Sequence, residues 1–228
     1  GLEKDLLIKD IMGLPWLSAD GGLVTPGLVE CHTHLVFAGN RAGEFEARLS
    51  GRSYEDIARA GGGILATVRA TRRASEDLLL DLAEERAWDF LEQGVTTLEV
   101  KSGYGLDLDE ELRLLRVIGR LGQRVPMTVV PTFLGAHAIP PEGRNQRAAW
   151  VRDIRDRWVP AVAQQGIARF CDVFCESVAF DVAESEEILQ AGRRHGLRPK
   201  IHADQWSDGG GTALAARVGA VSADHLDQ

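Results

Sequence analysis

The sequence has no surplus of positive charge: 26 lysines and arginines face 34 aspartates and glutamates, a formal net charge of -8. A nucleic-acid partner would want a basic face, so that class is set aside. Cysteine is scarce, with only Cys31, Cys171 and Cys175. An odd, low count builds no disulfide framework and fits a reducing compartment. Cys171 and Cys175 are spaced too widely for a C-x-x-C redox pair and sit in an apolar run, which predicts core packing. No stretch approaches the ~20 uninterrupted apolar residues that cross a bilayer, so no membrane partner is expected. Glu3, Lys4 and Asp5 break any apolar start, so no secretory signal is read and the expected location is the cytoplasm. Internal repeats and low-complexity segments are also lacking, apart from Gly61-Gly62-Gly63. That triplet has no phosphate-loop lysine or serine beside it, and reads as a turn.

What is present is an ordinary globular composition, 44% hydrophobic and 26% charged over 228 residues, with strands and helices in alternation. Six β-like runs are read at Leu28 to His34, Val95 to Lys101, Thr128 to Gly135, Phe170 to Glu176, Pro199 to Asp204 and Ala220 to Leu226. Between them lie helical patterns. Glu76 to Gln93 repeats its apolar residues at helical spacing and stops at Gly94. Asp107 with Glu110 resembles a capping box opening a helix that Gly122 ends. Arg147 to Gln164, Ala183 to His195 and Thr212 to Val218 read as three more. Arg69, Arg72 and Arg73 read as a solvated helix face, and His195 as a cation at a helix C-terminus.

Strand followed by helix, repeated, means parallel strands with crossover helices. Five of the six runs end in a chemically capable group: His34, Lys101, Glu176, His202 and His225. The other enters a loop carrying His137. A (β/α)8 barrel gathers all strand C-termini on one face, where active sites lie; an open sheet would spread them along a line. The expected class is therefore α/β, a TIM-like barrel.

The strongest motif is Pro26-Gly27-Leu28-Val29-Glu30-Cys31-His32-Thr33-His34. Residues i and i+2 of a strand point to one face, so His32 and His34 project together and can share a divalent ion. His202 ends the fifth run and supplies a third imidazole. His225 ends the sixth, in reach of substrate or of a metal-bound water.

From about Val24 to Gln228 the chain resembles the amidohydrolase superfamily, and within it the imidazolonepropionase family. The segments that carry this are TPGLVECHTHLVFAGNR, EVKSGYGL, PTFLGAHAIP, DVFCE, KIHADQ and SADHLD. The resemblance implies hydrolysis of 4-imidazolone-5-propanoate to N-formimidoyl-L-glutamate in histidine degradation, by metal-activated water attacking a cyclic amide. It implies His32, His34 and His202 as ligands of one zinc or iron ion. It implies Arg41 on the substrate carboxylate, a task suited to a guanidinium fork. Tyr104, His137 and Gln205 would contact substrate, with His225 and Gln205 as catalytic positions. Gln205 carries no proton at neutral pH, so it should hydrogen-bond the ring rather than shuttle protons. Some superfamily members bridge two metals with a carboxylated lysine at the end of the fourth strand; Glu176 stands there, which favours one metal. Lys101 is on the wrong strand for bridging and reads as structural or supporting.

The family also takes a metal ligand and base from an aspartate after an eighth strand. With six strands readable, we expect a shortened barrel at residues 25–228 and a remnant of a small β-sandwich at 1–24, with Asp5 to Ile11 as its strand. Weak or no activity is expected unless another chain completes it; a homodimer is implied by the resemblance. Two other readings stay open: a different amidohydrolase (a cyclic amidase or deaminase), or a metal-binding fragment without turnover.

Overall fold

The computed structural model describes residues 13, 15, 18–52 and 62–228. The expected strand at Asp5 to Ile11 and the first glycine of the triplet lie outside the described residues. Six parallel strands form one sheet in chain order: β1 Leu28–Glu30, β2 Val95–Lys101, β3 Thr128–Ala136, β4 Phe170–Cys175, β5 Arg198–Ala203 and β6 Ala223–His225. Laid flat at ~4.8 Å per strand, β1 and β6 would stand about 24 Å apart. Instead Lys200 of β5 donates to the carbonyl of Cys31, just beyond β1, at 2.9 Å. His32 Nδ1 comes within 2.9 Å of Asp224 Oδ2 on β6. The sheet is thus rolled into a parallel α/β half-barrel with one face turned inward.

Strand register sorts the two faces. Lys101 pairs with Thr132, Asp172 with Lys200, Phe174 with His202, and His202 with Asp224, so these side chains share the inner face. The alternate set, Leu98, Val100, Phe133, Cys171, Val173 and Ile201, is buried on the outer face among helix residues such as Leu79, Ala83, Leu114, Ile118, Ile188 and Leu189. Each such aliphatic side chain, fully buried, stabilises the fold by roughly 1.5–3 kcal/mol. Cys171 and Cys175 are buried and unbridged there, as expected.

The helices are α1 Ala42–Leu49, α2 Ile64–Arg73, α3 Glu76–Glu92, α4 Leu108–Arg124, α5 Pro141–Arg144, α6 Arg147–Asp153, α7 Val159–Gln165, α8 Val182–Arg194 and α9 Gly211–Val218. Ser75 caps α3 through the amide of Leu78, and Gly94 follows it at φ 87, the left-handed turn a helix stop needs. Asp181 and Glu184 close a reciprocal capping box on α8. His195 is the C-cap of α8.

Several expectations need correction. β1 ends at Glu30, so His32 and His34 lie beyond the assigned strand. Their side chains still face one way because Lys101 N–H donates to Thr33 O and Thr33 Oγ1 donates to Glu99 O, keeping the chain extended beside β2. Asp107 caps α4 through the amides of Asp109 and Glu110, but Glu110 turns to Arg113 instead of closing a box. Gly122 does not end α4, which runs to Arg124. This glycine packs against Val129 of β3. The single helix read from Arg147 to Gln164 is α6 and α7 joined by a π-helical turn at Ile154–Trp158. Pro160 explains it: the ring donates no N–H and crowds the carbonyl four residues back, and a widened turn relieves both. Among the described residues no helix is long and apolar enough to cross a membrane.

Candidate metal centre

His32, His34 and His202 meet at the top of the inner face. His34 Nε2 lies 3.3 Å from His32 Nε2 and 3.3 Å from His202 Nε2. Nitrogens ~2.0–2.1 Å from one tetrahedral ion stand about 3.3–3.4 Å apart. The three donor atoms therefore form a group that could hold a single metal ion. His34 is kept neutral, its pKa lowered well below the ordinary value by burial and then by His137, His202 and His32. Its Nε2 lone pair is thus free to donate, while its Nδ1 is buried without a partner.

Beneath the imidazoles lies an ionic layer. Lys101 Nζ, 0% exposed, is 2.8 Å from Glu99 Oε1 and 2.8 Å from Asp172 Oδ2. Asp172 Oδ1 lies 3.1 Å from His202 Nδ1. Asp224 Oδ2 approaches His32 Nδ1, Lys101 and Lys200, though no donor reaches it at a hydrogen-bonding angle. Burial works against the charge on Lys101, yet Asp172 and Glu99 outweigh it and raise its pKa. Asp172 resists burial in the same way, held well below the carboxylate range by His202 and Lys101. Asp172, Asp224 and Glu99 are site residues that sequence reading missed. The available signal was polarity at every second position: Glu99 and Lys101, Lys200 and His202.

A cavity of about 910 Å³ opens above the centre, lined by every other expected site residue: Arg41, Tyr104, His137, Gln205 and His225, together with His34 and His202. His32 sits under it rather than on its wall. Tyr104 rides the loop after β2, which is held from two sides. Buried Glu111 accepts from the amides of Gly103, Gly105 and Leu106. Arg72 donates to the carbonyls of Gly105 and Leu106, so it is a loop clamp and not part of a merely solvated face. Burial raises the Tyr104 pKa, keeping its hydroxyl a donor.

His137 Nδ1 lies 2.9 Å from Gly103 O. A carbonyl only accepts, so Nδ1 carries the proton and Nε2 is left as an acceptor. Burial and then His202 push its pKa down to about 3. His225 is lowered too, by burial, His202 and His32. Arg41 is held through Nε by Glu44 at 2.7 Å, which leaves the rest of its fork toward the cavity. Glu176 points its carboxylate at the amides of Ser177, Trp206 and Ser207 and at the Ser207 hydroxyl. Asp204 binds the amides of Gly209, Gly211 and Thr212. The two acids latch the loop that carries Gln205.

No family model matches the chain. It is 58% identical over 207 residues to an imidazolonepropionase of Ectopseudomonas mendocina, covering 91% of this chain and 51% of that protein. Imidazolonepropionases of Shewanella amazonensis and Shewanella putrefaciens are 52% and 49% identical, covering 100% of this chain and 56% of each relative. The chain spans about half the length of the curated relatives it matches. A dipeptide epimerase of Methylococcus capsulatus, complexed with Mg ion, aligns at 17% identity over 90% of this chain and 81% of its own. Its TM-score of 0.24 bears on nothing further.

Proposed function

Because the chain belongs to the imidazolonepropionase family, we propose that it forms the metal-binding part of an enzyme that hydrolyses 4-imidazolone-5-propanoate to N-formimidoyl-L-glutamate. The observation that carries this is the approach of His34 Nε2 to the Nε2 atoms of His32 and His202, 3.3 Å each, at a cavity walled by Arg41, Tyr104 and His137.

His32, His34 and His202 would hold one divalent ion, zinc or iron. When bound, such an ion lowers the pKa of a water molecule and polarises the ring carbonyl. Arg41 takes the propanoate carboxylate with the part of its fork that Glu44 leaves open. Tyr104 donates its hydroxyl to the substrate. His137 offers an Nε2 lone pair, which suits a ring N–H. Gln205 hydrogen-bonds the ring and carries no proton. His225, kept neutral, can hold a proton on its free nitrogen. Water oxygen bonds to the carbonyl carbon, the ring C–N bond breaks, and the ring nitrogen leaves with a proton. In this reading residues 25–228 supply six of eight β/α units. The protein works in the cytoplasm, as a homodimer, without nucleic acid or membrane.

The test is spectrophotometric loss of 4-imidazolone-5-propanoate with zinc or iron added and a chelator as control. Metal-dependent loss with formation of N-formimidoyl-L-glutamate supports the reading. One bound metal without any loss would make the chain a metal-binding piece that does not turn over. Hydrolysis of an uncharged cyclic amide in preference to this substrate would favour a different amidohydrolase.

A further inference from the structure

We propose that Lys101 is a positioning residue for the metal: a buried ammonium that aims the His202 imidazole through Asp172 without touching the ion. The proposal rests on reading His32, His34 and His202 as the ligands. The hydrogen bonds of Lys101 go to Glu99 Oε1 and Asp172 Oδ2, both at 2.8 Å, and Asp224 Oδ2 is 3.7 Å away. Asp172 faces His202 Nδ1 with its other oxygen at 3.1 Å, and Asp224 faces His32 Nδ1 at 2.9 Å. One ammonium therefore hydrogen-bonds the acid behind His202 and ion-pairs, at 3.7 Å, with the acid beside His32.

A carboxylate only accepts, so the proton of neutral His202 stays on Nδ1 and the Nε2 lone pair points at the shared centre. Partners behind metal-bound imidazoles fix ring orientation and raise ligand basicity. With Lys101 absent, Asp172 would lose the ammonium that fixes its second oxygen, and Glu99 would keep only Lys200, at 3.8 Å, so the two carboxylates could move apart. That movement releases His202. His34 has no such support, since its Nδ1 is unpartnered; its aim comes from packing, and it should not respond.

Two physical effects of this ammonium have opposite signs. Repulsion alone says that a positive charge beneath a divalent cation weakens binding, so removing it should tighten the site. Positioning says that removing it should loosen the site. The experiment is a zinc(II) titration of the wild-type chain and of Lys101→Met, by competition with a chromophoric chelator. Circular dichroism checks the fold, and 15N spectra of the imidazoles report tautomers. The expected result is zinc affinity weaker by roughly 10–100-fold, with tautomer exchange at His202 and not at His34. Equal or tighter zinc binding by folded Lys101→Met overturns the proposal and leaves the ligand reading standing. If Lys101→Met does not fold, Asp172→Asn carries the test, and unchanged zinc affinity there overturns it as well. A wild-type chain with no saturable zinc binding overturns the ligand reading, and this proposal with it.

Discussion

Lys200, on the fifth strand, donates its ammonium to the backbone carbonyl of Cys31, beside the first, at 2.9 Å. The contact exists only because the sheet is rolled, and it helps to keep it so. The same ammonium stands 3.8 Å from Glu99 and 3.7 Å from Asp224, almost fully buried. Lys200→Met keeps the volume and removes the charge. It should lower unfolding free energy by about 1.5–3 kcal/mol, the worth of one charged hydrogen bond. Urea denaturation of the two chains measures it; a loss below ~1 kcal/mol would mean that the roll is held by other contacts.

The metal-free chain should weaken as pH falls from 7 to 5. His137 has a folded pKa of about 3, and His34 and His225 are lowered as well. Unfolded histidine titrates near ~6.5. Below that pH the unfolded chain binds protons that the folded chain refuses, so stability rises with pH in this window. The loss from His137 alone should be roughly 1–2 kcal/mol at pH 5. Thermal midpoints with chelator at the two pH values check this, and His137→Gln should flatten the dependence.

Glu111→Gln should loosen the loop that carries Tyr104. The carboxylate accepts from three backbone amides, and a glutamine NH2 would face donors with a donor. A cost of about 1–3 kcal/mol follows from leaving buried donors unpaired. Hydrogen exchange should rise at Gly103, Gly105 and Leu106 before it rises in β2. Uniform exchange across both segments would show that Glu111 supports the whole fold and not this loop.

Arg41→Met should weaken binding of N-formimidoyl-L-glutamate by roughly 10–100-fold, the worth of a charged hydrogen bond. Zinc affinity should be largely unchanged, because Arg41 hydrogen-bonds none of the three histidines and belongs to no group that could hold the ion. Calorimetry separates the two. A drop in zinc binding instead would place Arg41 in support of the metal site.

Much of this was legible in the sequence where chemistry is local. Val95–Lys101 was legible to the residue, because its β-branched, alternating run is bounded by Gly94 and Ser102-Gly103. His32 and His34 were legible because alternation fixes their common side whether or not the ladder continues. The π turn before Pro160 was not, since helical periodicity survives one widened turn. Asp172 was hidden within an apolar run, as strands buried on both faces conceal a single charge. That it meets His202 and Lys101 depends on the roll of the sheet, a property of no single segment. Glu176 was visible as a strand-end acid, but its task as a latch on the Gln205 loop depends on amides thirty residues away.

The inner face carries Lys101 and Lys200 against Glu99, Asp172 and Asp224, and this has a consequence for how such a protein drifts over time. Two cations stand against three carboxylates, so losing either lysine leaves buried carboxylates uncompensated, and that single step is closed. Paired replacements that keep the balance remain open. Descendants of this sequence should vary at these positions in concert or not at all, while the aliphatic face on the other side of the same strands exchanges Val, Ile and Leu one at a time.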